Sequence, residues 1–323
     1  MTSNRPDRSL GAAPRPDGQA GPTPASLGAA PRPDGRGSET AILALAIVAI
    51  STGAPFARWA APASPIAIAA LRVGIASALL FAAGWRELAA LRAIAARDRP
   101  LVAVSGILLA IHFGCWIASL SFTSTAASVA LVCTNPMFAA LFGRLLGDRV
   151  APRELLGIAI AAGGCAVLAG GDWSAGGDAL IGDALALVGA ASAAAYLVVG
   201  RSLREVVPLL PYLGCVNAIA AVALAITAAI LGASLALPAR SYVACAGAAA
   251  IASLVGHSLL NRAVRATPTH LVALAVLGEP IASSLLTWLA FDEQPPLHAA
   301  AGGAVVIAGI AIGFVGRATP KLR

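Results

Sequence analysis

Ten runs of roughly 17–24 mostly apolar residues fill the chain between residues 41 and 316, each close to the ~20 residues that a helix needs to cross a bilayer. They lie near 41–59, 65–85, 101–119, 126–146, 154–171, 180–200, 209–231, 240–260, 268–290 and 297–316. At that depth every backbone polar group must be satisfied inside the segment, so helix is the state expected for each. The fold class is therefore an all-α membrane protein of ten transmembrane helices. Composition supports this at one point: 11% charged residues is far below the ~25% of a water-facing globule.

The ninth run carries a carboxylate, Glu279, followed directly by Pro280. A charge at mid-membrane costs roughly 3 kcal/mol or more, and proline removes a helix hydrogen bond. Both are tolerated where the helix faces protein or a wet cavity. The pattern occurs about 144 residues earlier, where Asn135-Pro136 stands in place of Glu279-Pro280 and Asp148 in place of Asp292. Ala118–Pro136 aligns with Arg262–Pro280 without a gap, and an offset near 143 pairs Arg58 with Arg201. Each half has five spans, an odd number, so the halves insert in opposite orientations. Inverted repeats of this kind place a transporter's substrate site near the midplane between them.

Basic residues orient the chain. With the N-terminus cytoplasmic, the inner side holds five arginines of the N-terminal tail, the Arg86, Arg92, Arg97 and Arg99 group, and Arg144, Arg149 and Arg153. Arg201, Arg204, Arg262, Arg265, Arg317, Lys321 and Arg323 join them, while the outer side keeps only Arg58 and Arg240. The positive-inside rule then puts both termini inside. The net charge of +7 is spent in this way, with no basic stripe interleaved with aromatics, so no nucleic-acid partner is expected. Residues 1–40 form a polar tail with a duplicated SLGAAPRPDG (Ser9–Gly18 and Ser26–Gly35), too poor in apolar side chains to fold alone. Residues 317–323 form a short cytoplasmic tail.

Ordered along the chain, STGAPFARW with Arg58, IAALRVGIASALL with Arg72, and TAASVALVCTNPMFAALFGRLLGDR with LLGIAIAAGGCAVLAG carry a resemblance to a known family. The second half repeats the last pair as TPTHLVALAVLGEPIASSLLTWLAFDEQ with AGGAVVIAGIAIGF. The series resembles the drug/metabolite transporters whose halves are each an EamA domain, here 41–171 and 180–316. It departs from them at Ser51-Thr52-Gly53, where a tryptophan-glycine pair is usual, and at Asp148-Arg149, where a glutamate usually closes the fourth helix. The resemblance implies a secondary transporter in a bacterial inner membrane, exporting amino acids or similar small metabolites by alternating access. Drug, nucleotide-sugar and sugar-phosphate carriers are the alternative substrate classes. A non-transporting membrane scaffold is the alternative outside transport.

Within the spans, the polar side chains are the candidates for substrate binding or coupling. Glu279 suits a proton carrier or a partner for a substrate amine, or else a structural acid at the Pro280 kink; Asn135 is its counterpart beside the Pro136 kink. Arg72 either binds a carboxylate bidentately or snorkels to the outer headgroups. His112 and Trp116, one helical turn apart, form an aromatic wall or, for the tryptophan, an interfacial anchor. Tyr196 and Asn217 are expected to face a cavity, whereas His257 and Asn261 are expected near solvent. Trp59 and Trp288 read as belt residues. Gly309 and Gly313 allow close helix approach, within the chain or in a homodimer through helices five and ten, which the resemblance favours. The five cysteines lack metal-type spacing, and no metal or cofactor is expected. No GxSxG, HExxH or Walker A pattern is present, and the four histidines lie on separate segments, so no enzyme is expected.

Overall fold

The computed structural model describes residues 35–123, 125–169, 177–292 and 297–314. The expected cytoplasmic tails lie outside these residues except for 35–40, where the first helix has already begun. Among the described residues the elements are helical. The first half comprises α1 (Gly35–Ser51), α2 (Gly53–Trp59), α3 (Pro65–Ala83), α4 (Arg99–Ser119), α5 (Thr125–Val132), α6 (Asn135–Leu145) and α7 (Pro152–Ala169). The second comprises α8 (Gly177–Val206), α9 (Leu209–Ile230), α10 (Ala239–Gly247), a π-helical stretch over Ala248–His257, α11 (Ser258–Ala266), α12 (Thr269–Val276), α13 (Glu279–Phe291) and α14 (Leu297–Phe314).

Among the described residues, seven helical stretches are long and apolar enough to cross a membrane: Thr40–Trp59, Pro65–Ala83, Ala96–Ser119, Gly177–Arg201, Leu209–Ile230, Ala239–Val264 and His270–Phe291. The remaining expected runs are present as shorter pieces. The fourth is divided into α5 and α6, of 8 and 11 residues. The fifth, α7, takes Arg153 and Glu154 into its first turn, and the tenth has its apolar part over Ala300–Phe314.

The two prolines break their helices rather than bending them. Pro136 and Pro280 each sit in the first turn of a new helix, α6 and α13, where a missing N–H costs nothing. Just before each break the backbone tightens. Thr134 N–H donates to the Leu131 carbonyl (3.0 Å) in the first half, and Gly278 N–H to the Ala275 carbonyl (3.0 Å) in the second. These bonds are 144 residues apart, so the sequence repeat is also a repeat of backbone geometry. Asn135 and Glu279 consequently occupy the same place, each opening a half-helix.

The halves interlock instead of lying side by side. Helix α3 packs on α9, α4 on α8 and α9, α1 on the π-helical stretch, α6 on α8 and α12, and α7 on α14. The last contact is the closest. A Cβ on Gly309 would come within 2.5 Å of the Ala161 backbone nitrogen, and one on Gly157 within 2.6 Å of the Gly309 carbonyl oxygen. Gly313 lies against Leu274. The GxxxG pair of the tenth run is thus spent inside one chain. Among the polar contacts that join the halves are two side-chain pairs. Arg201 Nη1 meets Asp148 Oδ2 at 3.1 Å, half-exposed, and such exposed pairs contribute about 0–1 kcal/mol. Buried His270 Nε2 lies 3.1 Å from Glu154 Oε2, which also accepts from Ala151 N–H (2.7 Å) and so caps α7.

Because no Cβ fits at the α7–α14 crossing, Gly157→Leu is expected to separate these helices and destabilise the fold by about 1–3 kcal/mol. Gly163→Leu, on the same helix with nothing near its Cβ direction, is expected to be neutral. Thermal unfolding of both variants in detergent checks the contrast.

Candidate functional site

Six polar residues singled out in the sequence come together in one cavity between the halves. Arg72, His112, Trp116, Asn135, Tyr196 and Glu279 line it, with Phe113, Cys133 and His257 among the other wall residues. It encloses about 60 Å³, below the 300–1,000 Å³ range of open small-molecule sites. Asn217 lies apart from it. Its amide donates to the Leu213 carbonyl (2.9 Å), and it lines a smaller adjoining cavity with Ser253, Tyr196 and His257.

The local structure explains how each side chain arrives. Glu279 and Asn135 open half-helices, so the helix breaks carry both into the space between the repeats. A carboxylate at a helix N-terminus is favoured by the unpaired N–H groups there. Ser51 ties the first span to the break, its hydroxyl 3.3 Å from the Glu279 backbone carbonyl and 2.7 Å from that of Ile47.

Arg72 does not reach the headgroups. It is 3% exposed, its Nε donates to Ser253 Oγ (3.3 Å), and its guanidinium lies 4.6 Å above the Phe113 ring. A cation over an aromatic face, out of water, gains about 2 kcal/mol or more. The snorkelling alternative fails because Arg72 points toward the other repeat, which covers it. Arg72 and Glu279 line the same cavity, yet no ion pair joins them among the described residues.

The aromatic wall is ordered by one hydrogen bond. His112 Nδ1 lies 3.0 Å from the Gly189 carbonyl, which can only accept, so that nitrogen carries the proton. When the ring is neutral, Nε2 is left as an acceptor. It stacks on Trp116 with 6° between the planes and 6.2 Å between centroids. Trp116 is buried at 4% exposure, which removes its reading as an interfacial anchor. Trp59 and Trp288 are exposed on the outside. Three buried polar atoms of the wall, Arg72 Nη1, Trp116 Nε1 and Asn135 Oδ1, have no partner among the described residues. Each such atom costs about 1–3 kcal/mol until something bonds it. Together they offer two donors and an acceptor to whatever fills the cavity.

The eighth span holds what the sequence reading missed. His257 and Asn261, expected near solvent, turn inward. Asn261 is fully buried, accepting from the Tyr196 hydroxyl (3.1 Å) and donating to the His257 carbonyl (2.7 Å). His257 meets the Phe113 ring edge-on at 5.7 Å. The expectation rested on depth near the inner end of the span; His257 closes the π-helical stretch and Asn261 lies in α11 beyond it, and their side chains meet α4 and α8 instead of solvent. The polar spacing Ser253, His257, Asn261 was the available signal.

Comparison with known proteins follows from this geometry. The EamA-like transporter family matches residues 39–170 and again 180–315, nearly the whole of both halves. The chain belongs to the EamA-like transporter family. It is therefore a multi-pass membrane protein of the drug/metabolite transporter superfamily, a secondary transporter of small molecules and not an enzyme. The EamA-like transporter's fold is also that of a solved crystal structure with a TM-score of 0.73 at 21% identity, over 86% of this chain and 96% of that one. No curated protein matches the sequence significantly.

His112→Phe keeps the stacked ring and deletes the donor to Gly189. It is expected to cost about 1 kcal/mol, read as a lowered unfolding temperature, while His112→Gln, which can still donate, recovers part of the loss.

Proposed function

We propose that this transporter moves small zwitterionic metabolites, amino acids foremost, outward across a bacterial inner membrane. One observation carries the reading: a buried arginine and a carboxylate line a single cavity between the two halves without pairing with each other. A ligand with a carboxylate for Arg72 and an ammonium for Glu279 would bridge them, and its side chain would lie against His112 and Trp116. Asn135 supplies an acceptor for the ammonium, and Tyr196 a polar wall. Asn217 stays at the margin, in the adjoining cavity.

The transport cycle proposed is alternating access by ten spans in two inverted five-helix repeats, with both termini cytoplasmic. In the residues of the chain these are 41–171 and 180–316, flanked by tails 1–40 and 317–323. The broken helices at Pro136 and Pro280 supply places where half-spans can pivot about the site. With no ATP-binding pattern in the sequence, the energy comes from an ion gradient or from the substrate's own. Glu279 is the group in the cavity suited to carry a proton. A homodimer through helices five and ten would use the outer faces of α7 and α14, where Leu155, Leu156 and Ile307 are exposed, because the inner faces are packed on each other.

Carriers of phosphorylated sugars or nucleotides fit less well. Among the described lining residues Arg72 is the one fixed cation, and Glu279 would repel a phosphate.

Counterflow in proteoliposomes preloaded with a mixed amino-acid pool tests the reading. Saturable exchange is expected for the wild type. Glu279→Gln is expected to abolish it or to leave a residual rate that no longer varies with pH. Exchange untouched by that substitution would remove Glu279 from the working site, and no exchange of any amino acid would overturn the substrate class.

A further inference from the structure

We propose that Ser253, brought inward by the π-helical stretch of the eighth span, is the positioning residue that sets Arg72 as a carboxylate receptor and so determines the preference for acids over their neutral analogues. The inference rests on the reading that Arg72 meets a substrate carboxylate, and it goes further by naming the residue that makes it able to.

A guanidinium recognises a carboxylate through two parallel N–H groups on one edge of a plane, so the orientation of that plane decides whether the fork is usable. Two contacts fix the plane of Arg72, and a glycine gives it room. Phe113 lies under one face at 4.6 Å. Gly53 leaves room beside the guanidinium, since a Cβ there would stand 3.2 Å from Nη1 and 3.4 Å from Nη2. Ser253 Oγ holds Nε at 3.3 Å. Phe113 sets the face, and Ser253 fixes rotation over it. Nη1 is left unpartnered among the described residues. The fork is thereby held open although Glu279 lines the same cavity.

The local backbone is the second line of support. Ser253 and His257 both sit in the π-helical stretch Ala248–His257, and both line the smaller cavity that adjoins the main one. Single-turn π-bulges are the usual form, often at functional sites, and a stretch of ten residues is rarer still. Ser253 is 3% exposed. A serine buried so fully gains from its partner what it loses from water, and here that partner is Arg72. Without Ser253, a buried Nε has no bond, and the guanidinium is free to swing toward Glu279 and close the fork on it.

The test compares two ligands in proteoliposomes containing the full chain. Counterflow of the amino-acid pool first identifies the best-exchanged amino acid. The concentrations of that acid and of its α-carboxamide that halve uptake of the labelled acid are then measured. Wild type is expected to favour the acid at least tenfold. Ser253→Ala is expected to raise the half-inhibiting concentration of the acid about tenfold and to change that of the amide little, with the maximum rate kept. Ser253→Thr restores the preference. Gly53→Ala, which presses the guanidinium from its other side, lowers the preference without touching Ser253, and serves if Ser253→Ala folds poorly.

A loss that affects acid and amide alike, or a preference unchanged in both variants, overturns the positioning role. The underlying reading fails separately: Arg72→Gln keeping the acid preference, or wild type exchanging no amino acid, overturns that reading and the proposal with it.

Discussion

Everything in this structure depends on one constraint: polar groups at membrane depth must be satisfied by protein, because lipid offers them nothing. A guanidinium, a carboxylate and two broken helices lie within apolar spans, and each would be costly facing hydrocarbon. Interlocking the two halves meets the cost. The first repeat supplies Arg72 and Phe113, the second supplies Ser253 over it, and the breaks at Pro136 and Pro280 face the space thus enclosed. The same enclosure that makes the charges tolerable produces the cavity. Site and stability therefore share a cause, and the three unpartnered atoms of the wall are the remainder that a ligand would satisfy.

The repeats are alike in backbone and unlike in chemistry. The bonds Thr134 to Leu131 and Gly278 to Ala275 superimpose on the sequence offset, so both helix breaks have one design. Yet the first presents an amide, Asn135, and the second a carboxylate, Glu279. Arg72 has no cationic counterpart among the described cavity residues. A symmetric scaffold thus holds an asymmetric site, as a ligand with two different ends requires. Among the contacts that join the halves away from the cavity, Arg201 with Asp148 and His270 with Glu154 differ in the same way: one is half-exposed and weak, the other buried.

Much of this was legible in the sequence for a simple reason. In spans made of alanine, leucine and valine, a polar residue has few places to go. Arg72, His112, Trp116, Asn135, Tyr196 and Glu279 share a cavity because the interior between the halves is the one environment that suits them all. The 144-residue offset puts Pro136 and Pro280 at equivalent positions, although the sequence suggests kinks where the helices in fact break. What could not be read was rotation about a helix axis. His257 and Asn261 lie near the inner end of the eighth span, where depth suggests solvent, yet both are turned into the protein. Phe113 was missed because an apolar ring looks the same whether it faces lipid or a guanidinium. The Glu154–His270 pair was missed because both residues lie near segment ends, where charge reads as topology. The family extends the argument to transport, and the proposed substrate class is read from the chemistry of the cavity.

The central claim is that a zwitterion bridges Arg72 and Glu279 inside the cavity between the repeats. An experimental structure of the full chain in lipid nanodiscs, saturated with the amino acid it exchanges best, tests this most directly. The account predicts ligand density with its carboxylate within hydrogen-bond distance of the Arg72 guanidinium and its ammonium toward Glu279 and Asn135. Density seated elsewhere, or Arg72 paired directly with Glu279 in the saturated protein, would contradict it.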